Sequence, residues 1–286
     1  MDAGKGEARG QRVELRRAGL CMLAIVACGA LSSALVSCAT RELADHPASG
    51  QGYLEASQLS DAASILGPPP PDGSGAKTGD VATYRATRAL NGSERWVLAV
   101  RDADFGVGPM MAAFSCALGV RLDPDRAPAL YRLLGRVLED SQRAEGAAKQ
   151  SYKRPRPFVE NGGTICVPPA EWLRSSYSYP SGHSTFSWTT ALILDSLAPD
   201  RTSEILARAR AYGESRVVCG VHYPSDVQAG RLVASAVFAK LAAQPAFQAD
   251  LAAAKSELAR LRAAGPAGLD DGECRVEAAA AANPVW

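Results

Sequence analysis

The sequence predicts an all-α protein, a bundle of helices, from three observations. Hydrophobic residues make up 47% of its 286 residues but aromatic residues only 6%, a composition that favours a helical core rich in alanine and leucine. Apolar residues recur three and four positions apart over several segments, as they do in amphipathic helices. No segment of any length alternates apolar and polar residues as a half-buried strand does.

Residues 1–38 have the layout of an export signal. A basic stretch, residues 5–17, precedes an apolar run over about residues 18–36, which is the order of a signal peptide. The run ends in L-V-S-C, similar to a bacterial lipobox, so Cys38 is a candidate lipidation site. Ordinary cleavage near Ala39 and an uncleaved anchor helix are the alternatives. We expect a periplasmic protein that touches the membrane only through an N-terminal lipid anchor.

Residues 39–80 form a proline- and glycine-rich N-terminal segment that we expect to be mostly loop. Four consecutive prolines, Pro68–Pro71, predict a rigid extended run. The glycine- and serine-rich stretch 72–79 follows it and is typical of turns. Two interpretations stay open: a spacer between anchor and domain, or a segment that lies on the domain surface.

Residues 81–264 are predicted to form one helical domain. Breakers and apolar stripes divide it into helices. The predicted helices are residues 95–114 with a break at 106–109, residues 128–149, residues 183–197, one capped by Thr202, one capped by Ser225 and ending near 243, and residues 247–261. Residues 265–286, an alanine-rich C-terminal tail, are expected to be poorly ordered apart from a tie through Cys274.

Charge and cysteine spacing argue against nucleic acid as a partner and against a zinc site. A net charge of +1 gives no basic background for nucleic acid, so a local cluster of cations is meaningful. Without a C-x-x-C pair, a zinc site is not expected. Four cysteines lie beyond Cys38, and in an exported chain they predict two disulfides in one of three pairings. They are Cys116, Cys166, Cys219 and Cys274. We favour Cys166–Cys219, which lie near two of the clusters described next.

Three clusters carry the chemistry. They are Lys149 with Arg156-Pro157, then Pro180-Ser181-Gly182-His183, then Ser215-Arg216 with His222 and Asp226. Each alone has a structural explanation, as solvated charges, a turn with its cap, or a core histidine. Their combination is more informative, because two of the three histidines lie in these clusters. The third histidine, His46, lies in the N-terminal segment.

The first chemical implication is an anion site. Lys149, Arg156 and Arg216 supply three cations, and a guanidinium binds phosphate oxygens through two N–H groups. Ser181 and the amide of Gly182 precede a predicted helix, where backbone N–H groups and the helix dipole favour a bound anion. Together these residues predict a cradle for a tetrahedral oxyanion.

The second implication is an oriented nucleophile with a separate acid. Asp226 follows His222 by about one helical turn, so its carboxylate can accept from one imidazole nitrogen and leave the other nucleophilic. His183 then remains as a proton donor. This equipment suits phosphoryl transfer through a phosphohistidine.

The three clusters together carry a family resemblance. K-x6-R-P, P-S-G-H and S-R-x5-H-x3-D resemble the signature of the type 2 phosphatidic acid phosphatase and vanadium haloperoxidase superfamily. Within it, the sequences of three segments are similar to those of the class A bacterial non-specific acid phosphatases: Tyr152–Phe158, Ser178–Ser184 and Glu214–Asp226. The resemblance covers about residues 59–262, and no motif position departs from the pattern.

The resemblance implies the helical bundle of that superfamily, with residues 81–264 as the phosphatase domain, and it assigns roles. His222 would attack phosphorus, Asp226 would hold its ring, and His183 would serve as acid and then as base. Tyr152 and Arg154 would support these groups from behind. The phosphate-binding residues would be Lys149, Arg156, Ser181, Gly182 and Arg216. The implied chemistry needs no metal or other cofactor, and the implied substrates are phosphate monoesters of many kinds.

Three competing interpretations follow from the same residues. The first is a vanadate-dependent haloperoxidase, which uses the same oxyanion site. The second is a membrane lipid phosphatase, which needs several apolar spans of about 20 residues, whereas only the N-terminal run approaches one. The third, a phosphate-binding module without turnover, requires a missing motif residue, and none is missing. A homodimer is an open alternative to a monomer.

Overall fold

The computed structural model describes residues 51–286, which contain twelve α-helices, three short 3₁₀-helices and no β-strand. The α-helices are α1 (Ala62–Leu66), α2 (Gly75–Thr87), α3 (Glu94–Arg101), α4 (Val107–Leu118), α5 (Pro128–Tyr152), α6 (Pro157–Asn161), α7 (Glu171–Ser175), α8 (Gly182–Leu197), α9 (Thr202–Val218), α10 (Pro224–Leu241), α11 (Pro245–Ala263) and α12 (Asp271–Ala282). The 3₁₀-helices are Ala56–Gln58, Arg88–Leu90 and Pro199–Arg201. The predicted all-α class is confirmed.

Helix α8 packs against α5, α9 and α10 and provides much of the core between them. It is apolar on most of its surface, and Phe186, Ile193 and Leu194 are buried. Helix α5 contributes Leu133 and Val137 to the same cluster. Each such side chain contributes about 1.5–3 kcal/mol when fully buried, so this packing holds the ends of the helices in place.

The starts of α8 and α10 lie side by side. A Cβ atom at Gly230 would lie 2.6 Å from the carbonyl oxygen of Ser181 and 2.9 Å from Cβ of Ser184, so only glycine permits this approach. The amide of Ser181 also donates to the carbonyl of Asp226 over 3.0 Å. Two clusters separated by about forty residues therefore meet.

The end of α5 directs the first cluster toward the same place. Lys153 closes the helix with a φ of 45°, a left-handed conformation, and its amide donates to the Lys149 carbonyl over 3.0 Å. Pro155 disfavours helical backbone at Arg154, so the chain leaves the helix there. It re-enters a short helix at Pro157, with Arg156 in extended conformation just before it.

Two predicted helix caps are wrong. Thr202 is the first residue of α9, because the 3₁₀ turn that begins at Pro199 leads directly into the helix. Helix α10 begins at Pro224, whose fixed φ suits the first helical position, and Tyr223 precedes it as the cap. Ser225 is therefore inside the helix, and its amide donates to Asp80 over 3.0 Å.

The N-terminal part of the described chain is more regular than the sequence predicts. Residues 62–66 and 75–80 are helical, and Ser74 caps α2 by accepting the amide of Lys77 over 3.1 Å. The amides of Tyr53 and Leu54 donate to the buried carboxylate of Asp140 on α5, over 2.7 and 3.2 Å. The described part of this segment, residues 51–80, therefore packs on the domain surface.

The C-terminal tail is also ordered, which corrects the sequence-based expectation. Helix α12 is tied to α4 by the disulfide Cys116–Cys274 and packs against α3 and α9. Its Glu277 pairs with Arg101 and lies 3.2 Å from Nε of buried Arg208. A covalent link and two charge pairs hold an alanine-rich helix that has little apolar surface of its own.

The second disulfide joins Cys166 to Cys219, the pairing that the sequence favoured. Among the described helices, none has the length and apolar character that a bilayer crossing requires. Cys38 and the export signal lie outside the described residues.

Candidate active site

His222 lies in the loop between α9 and α10 and is 2% exposed. Its Nε2 atom is 3.1 Å from Nη1 of Arg156. Because a guanidinium only donates hydrogen bonds, Nε2 accepts and carries a lone pair, and the ring proton belongs on Nδ1. Nδ1 faces Oδ2 of Asp226 at 3.5 Å. The imidazole thus presents its nucleophilic nitrogen to the cationic side of the site.

Asp226 is fully buried, and both of its carboxylate oxygens accept hydrogen bonds from residues other than His222. Oδ2 accepts the amide of Tyr223 over 2.8 Å, and Oδ1 accepts Nη1 of Arg154 over 2.6 Å. The expected hydrogen bond from His222 is not formed, because these two donors fix the carboxylate and Nδ1 has no hydrogen-bond partner among the described residues. The histidine and the aspartate remain in ion-pair range.

Arg154 supports Asp226 from behind, as the resemblance implies. Its Nη2 atom also pairs with Oδ2 of buried Asp80 on α2, at 2.8 Å. Burial lowers the pKa of Arg154, but the charges of Asp226 and Asp80 outweigh burial and raise the pKa overall. A buried guanidinium between two carboxylates is therefore a fixed link from α2 to the α10 start.

The three predicted cations come from three elements. Lys149, on the last turns of α5, contacts the carbonyl of Pro180 at the α8 start. Arg156 donates through Nε to Ser176 and through Nη1 to the Val221 carbonyl, both over 3.0 Å. Arg216, on the last turn of α9, reaches the carbonyl of Asp102 at 3.4 Å, which is a weak contact.

Arg216 keeps donor capacity that the described residues do not use. It is buried, and its Nε atom has no hydrogen-bond partner among them. Burial and, after it, the positive charge of Arg216 lower the pKa of Arg156 to about 10. Buried positive charges that act on each other in this way favour the binding of an anion.

His183 lies in the first turn of α8. Its Nε2 atom is 3.1 Å from the carbonyl oxygen of Ala103, which can only accept, so Nε2 carries the proton and Nδ1 is free to exchange one. The ring of Phe105 covers it at 4.5 Å between centroids. Burial lowers the pKa of His183 well below its ordinary value, with a further contribution from Arg216.

The start of α8 supplies neutral donors. The Ser181 hydroxyl accepts the amide of Ser184 over 3.4 Å and its hydroxyl over 3.0 Å. The amides of Gly182 and His183 belong to the first turn, where no helical carbonyl is available to them. These N–H groups and the positive end of the helix dipole add to the field of the cations.

The electrostatics of His222 indicate that the clusters converge. Burial lowers its pKa well below the ordinary value, and the charges of Arg156, Lys149 and Arg216 lower it further. His222 in turn lowers the pKa of His183. Both imidazoles are therefore neutral near pH 7 in the absence of a bound anion, and side chains from all three clusters act on one another electrostatically.

One predicted supporting residue lies farther from the site. The Tyr152 hydroxyl donates to the carbonyl of Ala63 over 2.8 Å, and its ring meets Tyr179 edge to face at 5.6 Å. Tyr152 therefore packs between α1 and the residue that precedes Pro180.

Four contributors were missed by the sequence analysis. Asp80 fixes Arg154, the carbonyl of Ala103 fixes His183, and buried Asp102 accepts the Ser215 hydroxyl over 2.7 Å. No motif signals these three. The fourth, Glu145, lies four residues before Lys149 on α5, a helical spacing that the sequence could have revealed.

Comparison with known proteins places the chain in a family. Residues 133–248 match the PAP2 superfamily. An acid phosphatase of Zymomonas mobilis is 37% identical over 262 residues, which cover 91% of this chain and 97% of that protein. A non-specific acid phosphatase of Providencia stuartii is 40% identical over 212 residues, or 73% of this chain and 86% of that protein.

A solved structure is also similar: the transmembrane PAP2-type phosphatidylglycerolphosphate phosphatase of Bacillus subtilis. It covers 63% of this chain and 88% of its own, with 19% identity and a TM-score of 0.42. The names of the sequence relatives favour a phosphatase over the haloperoxidase alternative. The chain therefore belongs to the PAP2 superfamily, and within it to the acid phosphatases of the class A, non-specific kind.

Proposed function

We propose that this acid phosphatase hydrolyses phosphate monoesters of broad structure through a phosphohistidine at His222. The observation that carries the proposal is the contact between Nε2 of His222 and the guanidinium of Arg156. It places the nucleophile's lone pair beside a donor that binds phosphate oxygens. An ester whose phosphoryl group displaces this contact has its phosphorus next to Nε2.

In the first step, Nε2 of His222 forms a bond to phosphorus as the bond from phosphorus to the leaving oxygen breaks. In acidic solution, with the negative phosphoryl group offsetting the charge of Arg216, His183 carries a second proton on Nδ1. It gives this proton to the leaving oxygen, so the alcohol departs neutral. Asp226 stabilises the positive charge that develops on the His222 ring, since its carboxylate faces Nδ1 at 3.5 Å. The products are the free alcohol and phosphohistidine.

In the second step, water attacks phosphorus. His183, now neutral at Nδ1, takes a proton from the water, and the phosphorus–nitrogen bond breaks to release inorganic phosphate. His222 returns with its lone pair on Nε2, and His183 is protonated again. The carbonyl of Ala103 holds Nε2 of His183 in both steps. Nδ1 is therefore the nitrogen that exchanges protons, first with the leaving oxygen and then with the attacking water.

The binding groups stabilise charge on the three oxygens that stay on phosphorus. Arg156 and Arg216 suit paired contacts, and Lys149 acts as a point charge. Ser181 and the amide of Gly182 complete the set from the α8 start. Such donors are already oriented before the substrate binds, so their field acts on the transition state without reorganisation.

The reaction as written needs no metal. Among residues 51–286, no group of three or more His, Cys, Asp and Glu side chains is arranged to hold one. Export and lipidation at Cys38 are part of the proposal on the strength of the N-terminal sequence. Incorporation of labelled fatty acid into the wild type but not into Cys38→Ala tests the anchor. Fractionation of the periplasm tests the export.

The reaction itself is tested by trapping the intermediate. We expect brief incubation with a ³²P-labelled monoester, quenched in alkali, to label the wild type on histidine, because phosphohistidine is stable to base. His222→Ala should carry no label and have no turnover. Label on another residue, or turnover without label in a rapid quench, contradicts the mechanism. Bromide oxidation with added vanadate and peroxide tests the haloperoxidase alternative.

A further inference from the structure

Glu145 is a buried carboxyl inside the proposed phosphate site that the mechanism above does not use. It lies on α5, one turn before Lys149, and is 9% exposed. Its Oε2 atom is 3.8 Å from Nζ of Lys149, beyond hydrogen-bond range, and has no hydrogen-bond partner among the described residues. With Lys149 only in ion-pair range, a proton or a hydrogen-bonded ligand would complete the bonding of this buried oxygen.

The carboxyl group points at the start of α8. A Cβ atom at Gly182 would lie 2.5 Å from Oε1, 2.8 Å from Oε2 and 3.0 Å from the carboxyl carbon of Glu145. Glycine at this motif position thus makes room for the Glu145 side chain. The carboxyl consequently lies beside the same helix start whose amides are proposed to hold the phosphate.

The charges around Glu145 explain its unusual state. Lys149 faces it from the same helix, and Arg156 faces it from the loop after α5. Lys149 also interacts electrostatically with Asp226 and His222. Burial raises the pKa of Glu145, and the attraction of the two cations only partly offsets this. The group is therefore a carboxylic acid over a wider pH range than an exposed glutamate.

We propose that Glu145 is a further phosphate-binding residue: its protonated carboxyl donates a hydrogen bond to a phosphoryl oxygen, and its ionised form repels the phosphate and competes for Lys149. The inference rests on the proposed location of the phosphate. Phosphate should then bind more tightly in acidic solution, because loss of the proton turns the Glu145 carboxyl from a hydrogen-bond donor into a negative charge. Two negative charges in contact inside a protein repel each other, so ionised Glu145 should weaken phosphate binding about tenfold or more.

Binding of inorganic phosphate to the full chain, measured by calorimetry at pH 5 and pH 8, tests the inference without turnover. Glu145→Gln keeps the shape and a donor but cannot ionise. We expect it to bind phosphate at least about tenfold more tightly than the wild type at pH 8, and within about threefold at pH 5. Comparison at one pH cancels the titration of phosphate itself.

Glu145→Ala separates the donor from the charge. It should share the gain at pH 8 but lose about fivefold in affinity at pH 5, where the wild type donates its hydrogen bond. Glu139→Gln is the matched control, since it removes one negative charge from the same helix about 9 Å away along its axis. The control should leave both affinities unchanged.

Two outcomes overturn the inference: equal affinity of wild type and Glu145→Gln at both pH values, or an equal gain in Glu139→Gln. If Glu145→Gln does not fold, the pH 8 result for Glu145→Ala decides. The labelling experiment on His222 is independent of these measurements. A labelled phosphohistidine with unchanged phosphate affinities refutes the role of Glu145 alone, whereas a missing phosphohistidine refutes the mechanism and leaves the binding result standing.

Discussion

Arg156 and His222 meet through Nη1 and Nε2, 3.1 Å apart, so the residue proposed to bind phosphate also occupies the lone pair of the proposed nucleophile. The same arginine lowers the pKa of His222, after the larger effect of burial. The pair therefore keeps the imidazole neutral and directed. In the proposed mechanism, a phosphate group that binds the guanidinium also frees Nε2 of His222 for attack.

Replacing Arg156 should affect both the pKa of His222 and the binding of phosphate. In Arg156→Ala, the pKa of His222 should rise, because a nearby positive charge is lost, and kcat/KM should fall about 10²-fold or more. The histidine C–H signals in NMR titrations measure the pKa. Arg174→Ala, a change at an exposed arginine, is the control. An unchanged His222 pKa in Arg156→Ala contradicts the assigned contact.

Replacing His183 should depend on the leaving group. His183→Ala should lose about 10²–10⁴-fold in kcat on alkyl phosphates and much less on p-nitrophenyl phosphate, because a good leaving group needs little help from an acid. Steady-state rates on a series of esters of graded leaving-group pKa measure this. Equal losses across the series remove His183 from the acid role.

Asp80 should be needed although it touches no proposed substrate atom. Asp80→Asn leaves the buried guanidinium of Arg154 with one carboxylate in place of two, so the position of Asp226 loosens. We expect a loss of about 3 kcal/mol in unfolding free energy and about tenfold in kcat. Chemical denaturation and initial rates measure the two. Asp72→Asn, at an exposed position on the loop before α2, should change neither; an Asp80→Asn variant with normal kcat speaks against the link.

Acid should destabilise the protein through its two buried imidazoles. The pKa values of His183 and His222 are lower in the native state than the ordinary value of about 6.5, so below that pH the unfolded chain binds more protons. The unfolding free energy therefore falls as pH falls, by up to about 1.4 kcal/mol per pH unit for each histidine. Glu145, whose pKa is raised, acts in the opposite direction.

Urea denaturation at several pH values, in buffer without phosphate, measures this dependence. His183→Gln should show a shallower loss of stability between pH 6.5 and 5 than the wild type, because one of the two titrating groups is gone. Parallel curves for the two proteins would mean that His183 is not held neutral in the native state.

The disulfide Cys116–Cys274 should stabilise the protein and steady the site. It closes a loop of 158 residues and holds α12, whose Glu277 pairs with Arg101 and lies beside Arg208. Arg208 in turn pairs with Asp102 at 2.6 Å. The double variant Cys116→Ser/Cys274→Ser should lose about 2–5 kcal/mol in unfolding free energy, measured by denaturation. A loss below about 0.5 kcal/mol contradicts this.

Local sequence predicted the helices whose signals are self-contained. Prolines and an apolar stripe mark α5, and the break at Gly106 separates α3 from α4. Helix caps were predicted less well. Ser225 bonds to Asp80, which is remote in sequence, and Thr202 bonds to the carbonyl of Pro199 in the preceding turn. Helix α12 was missed since its order depends on a disulfide and on charges from α3 and α9.

The same division applies to the candidate site. The residue types and their spacing, such as His222 to Asp226 and Lys149 to Arg156, could be read from the chain alone. The folded structure was needed to assign which ring nitrogen of each histidine carries the proton, since that depends on Arg156 and on the carbonyl of Ala103. It also decided that Glu145 meets Gly182. Contacts between distant segments arise from packing of whole helices, and no local pattern encodes them.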